Sequence, residues 1–516
     1  MKGVRIMGFK KAKLKGIFSS TKRLQKAFKI RNETALYYKK LSKVDHPSNG
    51  DERRYPNKIA SYSKALPQNI LGEVDLRAYD KYLEAIETGE PEDFEKIPLG
   101  GERKLVDPQS AYSFDLVGPD SHQMVCPPPP AFHSEEFASE MVELYWQALT
   151  RDIPFNDYHF NPHTIAAAEE LSTLTKFHGP KINGQVTPKT LFRQDFPGAL
   201  EGPYISQFLW KEFPFIATKI VQKYKTTLAG DDHLTNYEDW LAVQTGKPLQ
   251  SSNTYDPTPR YIRNGRDLGE FVHKDYSLES GLAPCLILLS YGPGALDASN
   301  PYLKSNTQVG FSSFGAAHVL DFVLRAVRPA LDAAWCQKWL VHRRIRPEEF
   351  GGRIHHKMTG DANYPIHPVV LNSNALSNTF EKYKTYLLPQ AFAEACPTHP
   401  EYPSGHATFI GAMVTMLKAF FNESFVIPDP VVASSDGLTL ESYDGTLTVG
   451  GELNKLAYNI AIGRNTAGVH FRSSAINGML LGEEVAIGIL RDYQTTYNEE
   501  FEGFKLTKFD GTKITI

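Results

Sequence analysis

The stretch "AAHVLDFVLRAVRPALDAAWCQKWLVHRRI" (residues 316–345) commits the chain to helix packing. Its apolar residues recur at the three- and four-residue spacing of one helical face, over a length that strands rarely reach. Pro329 lies inside it and is expected to kink it, because proline lacks an N–H and its ring crowds the preceding turn. A stripe this long must be buried against others. Matching patterns follow in "SGHATFIGAMVTMLKAFF" (404–421), "ELNKLAYNIAIGR" (452–464) and "SSAINGMLLGEEVAIGIL" (473–490). The expected class is all-α, with helical bundles and one small β-hairpin. That hairpin is placed in "VASSDGLTLESYDGTLTVGG" (432–451), where strand-like alternation occurs.

Upstream, Ser134 is a natural helix cap with Glu135 and Glu136 in the first turn. Phe137, Met141, Leu144, Tyr145, Ala148 and Leu149 then share one stripe. Further helices are expected over 163–174, from 202–213 and over 237–246, the last ending at Gly246. Residues 33–133 are rich in Pro, Gly and charge and include the stiff "CPPPPAF" (126–132), which suggests strands, turns and short helices wrapping something larger. The organisation expected is a basic arm (1–45), a wrapping and helical region (46–250) and a catalytic helical-bundle region (251–516).

Composition narrows the function. With 41% apolar and 22% charged residues and a formal net charge of −3, the chain is ordinary globular and is not a nucleic-acid binder by charge. No apolar run approaches a membrane span. The four cysteines lack CxxC spacing, which argues against a structural zinc site; they read as buried free thiols, with one or two disulfides as the alternative. The first 32 residues hold eleven Lys/Arg and no acid. They lack the apolar core of a secretory signal, which favours a cytoplasmic location. This arm suits a solvated tail, a clasp between subunits or a surface for an anionic lipid or polymer.

Three segments carry chemistry. "WCQKWLVHRRIRPEEFGG" supplies Lys338 and Arg346, eight apart and so near one helical face (about 80° apart). Arg346 precedes Pro347, so the helix bearing both is expected to end there. "PSGH" (403–406) opens the next helix, with N–H donors from Ser404 and Gly405 and with His406 in the first turn. "GRNTAGVHF" supplies Arg464 and His470; for both to reach one ligand the helix must end near Arg464, with Gly468 as the turning point. Cations, donors and histidines without carboxylates suit a tetrahedral oxyanion.

At these residues the chain resembles the vanadium-dependent haloperoxidases, whose oxyanion site is shared with type-2 phosphatidic acid phosphatases and bacterial acid phosphatases. The motifs are Lys338-x7-Arg346-Pro347, Pro403-Ser404-Gly405-His406 and Arg464-x5-His470. The spacing looks like the bromoperoxidase branch. Gly463 stands where many members have Ser. The stretches 57–75, 202–210, 239–246 and 260–275 look like algal and cyanobacterial bromoperoxidases.

The resemblance implies an all-α fold around vanadate, with His470 as the vanadium ligand. Lys338, Arg346, Ser404, Gly405 and Arg464 would bond the oxyanion's oxygens, and His406 would handle protons. It implies hydrogen peroxide, bromide or iodide, and a small organic acceptor as reactants. Trp335 with His399 looks like the brown-algal halide pocket, which favours bromide and iodide over chloride. His399 would influence an attacking halide through its charge. Homo-oligomers are the family habit. Calcium is a further candidate cofactor, with Asp297, Asn300, Asn306 and Gln308 as oxygen ligands in 297–311. The rival reading is an acid phosphatase on the same site, with His470 attacking phosphorus.

Overall fold

The computed structural model describes residues 20–248 and 251–516. Among these residues helices dominate, joined by long extended connections and three two-stranded hairpins. The largest core is built around the Gly405–Phe420 helix. It runs along the Arg472–Gln494 helix and also touches Val449–Thr466, Val327–Trp335 and Ala316–Arg325. Every residue of Gly405–Phe420 is buried except His406, so its polar first turn is the one part of the helix that meets open space.

The close approach of this helix pair is written in glycines. A Cβ on Gly482 would lie 2.0 Å from Thr408 O, and one on Gly411 would lie 2.4 Å from Met479 O. Only glycine lets two helix backbones come that near.

The long periodic stretch folds as three pieces. These are helices Ala316–Arg325 and Val327–Trp335 and a π-helical turn Cys336–His342. The break lies at Ala326, and Pro329 sits in the first turn of the second piece, where a missing N–H has no intrahelical partner to lose. The expected helix end at Arg346 is corrected. The chain leaves the helix at Arg343, whose φ is 40°, and Arg346 caps the next helix, Pro347–Thr359. Lys338 and Arg346 therefore stand on different elements, and the shared-face argument does not apply.

Ser134 caps Glu135–Thr150 by accepting from Phe137 N at 3.1 Å. That helix is buried nearly all round, with Glu140 and Glu143 inside as well as the apolar stripe. The helix expected from 202–213 is absent. Ser206 caps a short 3₁₀ turn, Gln207–Leu209, and the chain then enters the strand Phe213–Phe215. Strands of three residues, too few to show alternation, hid this hairpin (213–215 with 218–220) and a C-terminal one (505–507 with 513–515). The expected hairpin is present as Val431–Ala433 with Leu440–Ser442.

Hydrogen bonds tie the N-terminal region to later parts of the chain. Tyr62 N donates to Arg343 O at 2.8 Å, Val106 N to Thr398 O at 2.8 Å, and Arg103 Nη1 to Glu394 O at 2.8 Å. From the basic arm, Ser20–Lys40 is a helix, with Leu24 and Phe28 exposed and Tyr38 Oη donating to Asp492 at 3.0 Å; residues 1–19 lie outside the described residues. All four cysteines are buried free thiols. Among the described residues no helix is long and apolar enough to cross a membrane.

Candidate active site

The three motif segments meet at one end of the bundle, beneath a cavity of about 370 Å³. Trp335, His399, Gly405, His406, Arg464 and His470 line it; Asp275 and Phe392 add to the wall, and the wrapping segment contributes Arg103 and Val106. Lys338, Arg346 and Ser404 are fully buried just below, outside the lining.

His470 sits between the Val449–Thr466 and Arg472–Gln494 helices. The first helix ends two residues past Arg464, and Gly468 takes φ +87°, as the six-residue spacing requires. His470 Nδ1 lies 2.9 Å from Glu401 Oε1 and 3.3 Å from Ser474 Oγ, so Nδ1 carries the proton that Glu401 accepts. The other nitrogen, Nε2, is 3.3 Å from Arg346 Nη1. Burial, then the Arg346, Lys338 and Arg464 cations, hold the His470 pKa well below the usual histidine range. With the Nδ1 proton turned to Glu401, Nε2 is the nitrogen whose lone pair can be offered, to Arg346 here or to a ligand.

Three cations surround it. Lys338 Nζ donates to Pro400 O at 2.9 Å and Glu401 O at 2.7 Å. Arg346 donates to His399 O at 2.9 Å and Val469 O at 2.8 Å. Arg464 donates to Val272 O at 2.7 Å, and its Nε is buried without a partner. Among the described residues none of the three is paired with a carboxylate. Burial and mutual repulsion push Lys338 well below its ordinary value, and burial draws Arg464 down to about 10. Unpaired buried cations are costly, and an anion among them removes the cost.

The helix start supplies less than the sequence suggested at one atom. Ser404 N donates to Ser474 O at 3.2 Å, so its backbone donor is already used. Its hydroxyl oxygen caps the helix by accepting from Ala407 N at 3.4 Å, which leaves the hydroxyl hydrogen available. Gly405 N, first in the helix, has no intrahelical acceptor. A Cβ on Gly405 would lie 3.2 Å from the Trp335 ring, so the indole closes over this turn.

His406 is about a quarter exposed (24%), and its Nε2 lies 3.0 Å from Asp275 Oδ1. Burial lowers its pKa, and Asp275 offsets only part of that. His399 is buried, 4.9 Å ring to ring from Trp335, with its Nδ1 2.9 Å from Arg346 Nη2. Burial and then Arg346 hold it well below the usual range. Burial and the neighbouring cations thus work against a charge on His399.

Two carboxylates escaped the sequence reading. Asp275 ends the Gly265–Lys274 helix, and Glu401 lies inside "HPEYPSGH", but nothing local shows which histidine either meets. In the 297–311 loop two of the oxygen-bearing side chains are bonded locally. Asp297 Oδ1 accepts from Ser299 N at 2.8 Å, Asn300 Oδ1 accepts from Tyr302 N at 3.0 Å, and Asn306 and Gln308 are exposed. Among the described residues no group of three or more His, Cys, Asp or Glu is placed to hold a metal ion.

Residues 322–499 match the family model for the VCPO second helical-bundle domain. The chain is 35% identical over 490 residues to the vanadium-dependent bromoperoxidase of Ascophyllum nodosum, covering 89% of this chain and 86% of that protein. It is 35% identical over 560 aligned residues to the vanadium-dependent bromoperoxidase of Corallina officinalis, covering 91% and 92%. Its fold matches the homohexameric structure of the second vanadate-dependent bromoperoxidase (AnII) from Ascophyllum nodosum with a TM-score of 0.93, 30% identity and coverage of 99% and 93%. With relatives this similar along nearly the whole chain, the protein belongs to the vanadium-dependent bromoperoxidase family.

Proposed function

We propose that the protein is a vanadate-dependent haloperoxidase that oxidises bromide or iodide with hydrogen peroxide, the oxidised halide then halogenating a small organic acceptor. The observation that carries this reading is the set of buried cations Lys338, Arg346 and Arg464, unpaired with carboxylates and gathered around the free nitrogen of His470. That set fits a small oxyanion with an open position for a nitrogen ligand.

His470 Nε2 would hold the vanadium. Lys338, Arg346, Arg464, the Ser404 hydroxyl and Gly405 N–H would bond the oxygens and balance their charge. Bound there, vanadate supplies a pentavalent Lewis acid that activates peroxide toward a halide. The chain supplies the rest. His406, its pKa lowered by burial and its Nε2–H held by Asp275, takes and returns protons through the other ring nitrogen. Trp335 and His399 form an aromatic wall of the cavity against which a halide can sit. Burial of the cations keeps water from screening them.

A homo-oligomer is part of the proposal. The exposed Leu24 and Phe28 of the Ser20–Lys40 helix need cover, and AnII, similar over 99% of this chain, is described as a homohexamer. The test of function is bromination of a phenol dye by apo-protein with and without added orthovanadate, beside hydrolysis of an aryl phosphate. Vanadate-dependent bromination with no competing phosphatase role in the loaded protein is expected; phosphate hydrolysis without any bromination favours the acid phosphatase reading.

A further inference from the structure

Glu401 joins the separate motifs of the site. Its carboxylate Oε1 accepts from His470 Nδ1 at 2.9 Å and from Phe471 N at 3.1 Å. Oε2 accepts from Arg344 Nη1 at 3.2 Å, and Arg344 is held in turn by Glu140 at 2.9 Å and Ser473 at 3.0 Å. The Glu401 carbonyl accepts from Lys338 Nζ at 2.7 Å, and its N donates to Arg344 O at 3.1 Å. The side chain is fully buried. A carboxylate locked at both oxygens has one position available, and it presents one acceptor to one ring nitrogen.

We propose that Glu401 is a positioning residue for the oxyanion site: its carboxylate fixes the tautomer and tilt of His470 and strengthens Nε2 as a ligand, and so sets the affinity for vanadate. This rests on the functional reading above. A carboxylate behind a metal-bound imidazole does two things: it keeps the proton on the rear nitrogen, and it makes the front nitrogen a better electron donor. Arg344 is what permits a carboxylate here. Without that partner a buried anion beside His470 would sit as the counter-ion of Lys338 and Arg346 and compete with the ligand. Arg344 meets the Glu401 carboxylate on the far side, and Lys338 meets only its carbonyl.

The test is orthovanadate binding to apo-protein by equilibrium dialysis, without peroxide or halide. Glu401→Ala leaves Ser474 Oγ, 3.3 Å from Nδ1, as the remaining side-chain neighbour, and should raise Kd roughly 10–100-fold. Glu401→Gln keeps an acceptor oxygen of the same reach, and so the tautomer, but loses the charge behind the ring; it should recover part of the affinity and bind more tightly than the alanine variant. Glu401→Asp keeps the charge but withdraws it by one methylene, and should bind as weakly as the alanine variant. In a His470→Ala background, Glu401→Ala should cause no further loss, because the ring through which it acts is gone. Melting curves of the apo variants separate misfolding, and the Gln and Asp pair decides the matter even where the alanine variant does not fold. Wild-type affinity in Glu401→Ala, good binding by Asp with poor binding by Gln, or an equal further loss in the His470→Ala background would each overturn the positioning role. Wild-type protein that binds no orthovanadate, or a His470→Ala variant that binds it as well as wild type, would overturn the functional reading and this inference with it.

Discussion

His406 Nε2 lies 3.0 Å from Asp275 Oδ1, so a histidine in the first turn of one helix is held by the residue that ends another. Burial favours the neutral ring and Asp275 favours the charged one; burial wins, and the pKa falls below the ordinary 6.5. The proton-accepting form therefore persists to lower pH than in a free histidine. Asp275→Asn removes the group that favours charge, so the pKa should fall further. The acid limb of bromide oxidation, followed from about pH 4 to 8, should move to lower pH in that variant. A limb that stays in place, or moves up, separates His406 from the proton step.

His470→Ala should abolish tight orthovanadate binding. It removes the nitrogen that would bond the metal and leaves Lys338, Arg346 and Arg464 as a weak, exchangeable anion site. Dialysis against chelator followed by a bromination assay checks this. Full activity after dialysis would reduce His470 to a packing residue.

The legible and the illegible parts of this molecule divide by range. The turn at Gly468 and the helix that opens at "PSGH" with His406 in its first turn follow from residues within a few positions, and the structure has both. The helix end at Arg346 was misplaced because the π turn and the left-handed Arg343 leave no mark in apolar spacing. The short hairpins have strands of three residues, too brief for alternation to register. Glu401 was passed over although it lies between the two histidines of "HPEYPSGH". Its partner is 69 residues away in sequence, and only the folded chain tells a solvated glutamate from one locked between Arg344 and His470.

The glycine contacts in the bundle give a stability prediction apart from chemistry. Gly482→Ala places a methyl 2.0 Å from Thr408 O, where backbone must move. The Gly405–Phe420 helix would be pushed off its partner, at a cost of about 1–3 kcal/mol. A lower melting temperature in the apo-protein is expected, with weaker orthovanadate binding because Ser404 and Gly405 ride on the displaced helix. An unchanged melting temperature would mean that the helix pair tolerates separation.

His399 and His406 share one segment and should fail differently. His406 is partly exposed in the cavity wall, with a carboxylate behind it. His399 is buried against Trp335 and Arg346, and its neighbours work against a charge on it. His406→Ala should keep orthovanadate binding in part and lose about 10²–10⁴-fold in bromide turnover, the usual contribution of a positioned acid–base group. His399→Ala opens the aromatic wall and frees one Arg346 donor, without touching the proton step. It should retain orthovanadate binding and iodide oxidation, the easier reaction, while bromide kcat/KM falls about tenfold, or about 1.4 kcal/mol at the transition state. Because burial and Arg346 hold the His399 pKa well below the usual range, replacing it should lower the bromide pH profile without moving its limbs, whereas replacing His406 should remove the acid limb. Steady-state rates for both halides across pH on the two variants decide between these patterns. Equal loss of both halides in His399→Ala, or a shifted limb there, would mean that His399 acts through its charge after all.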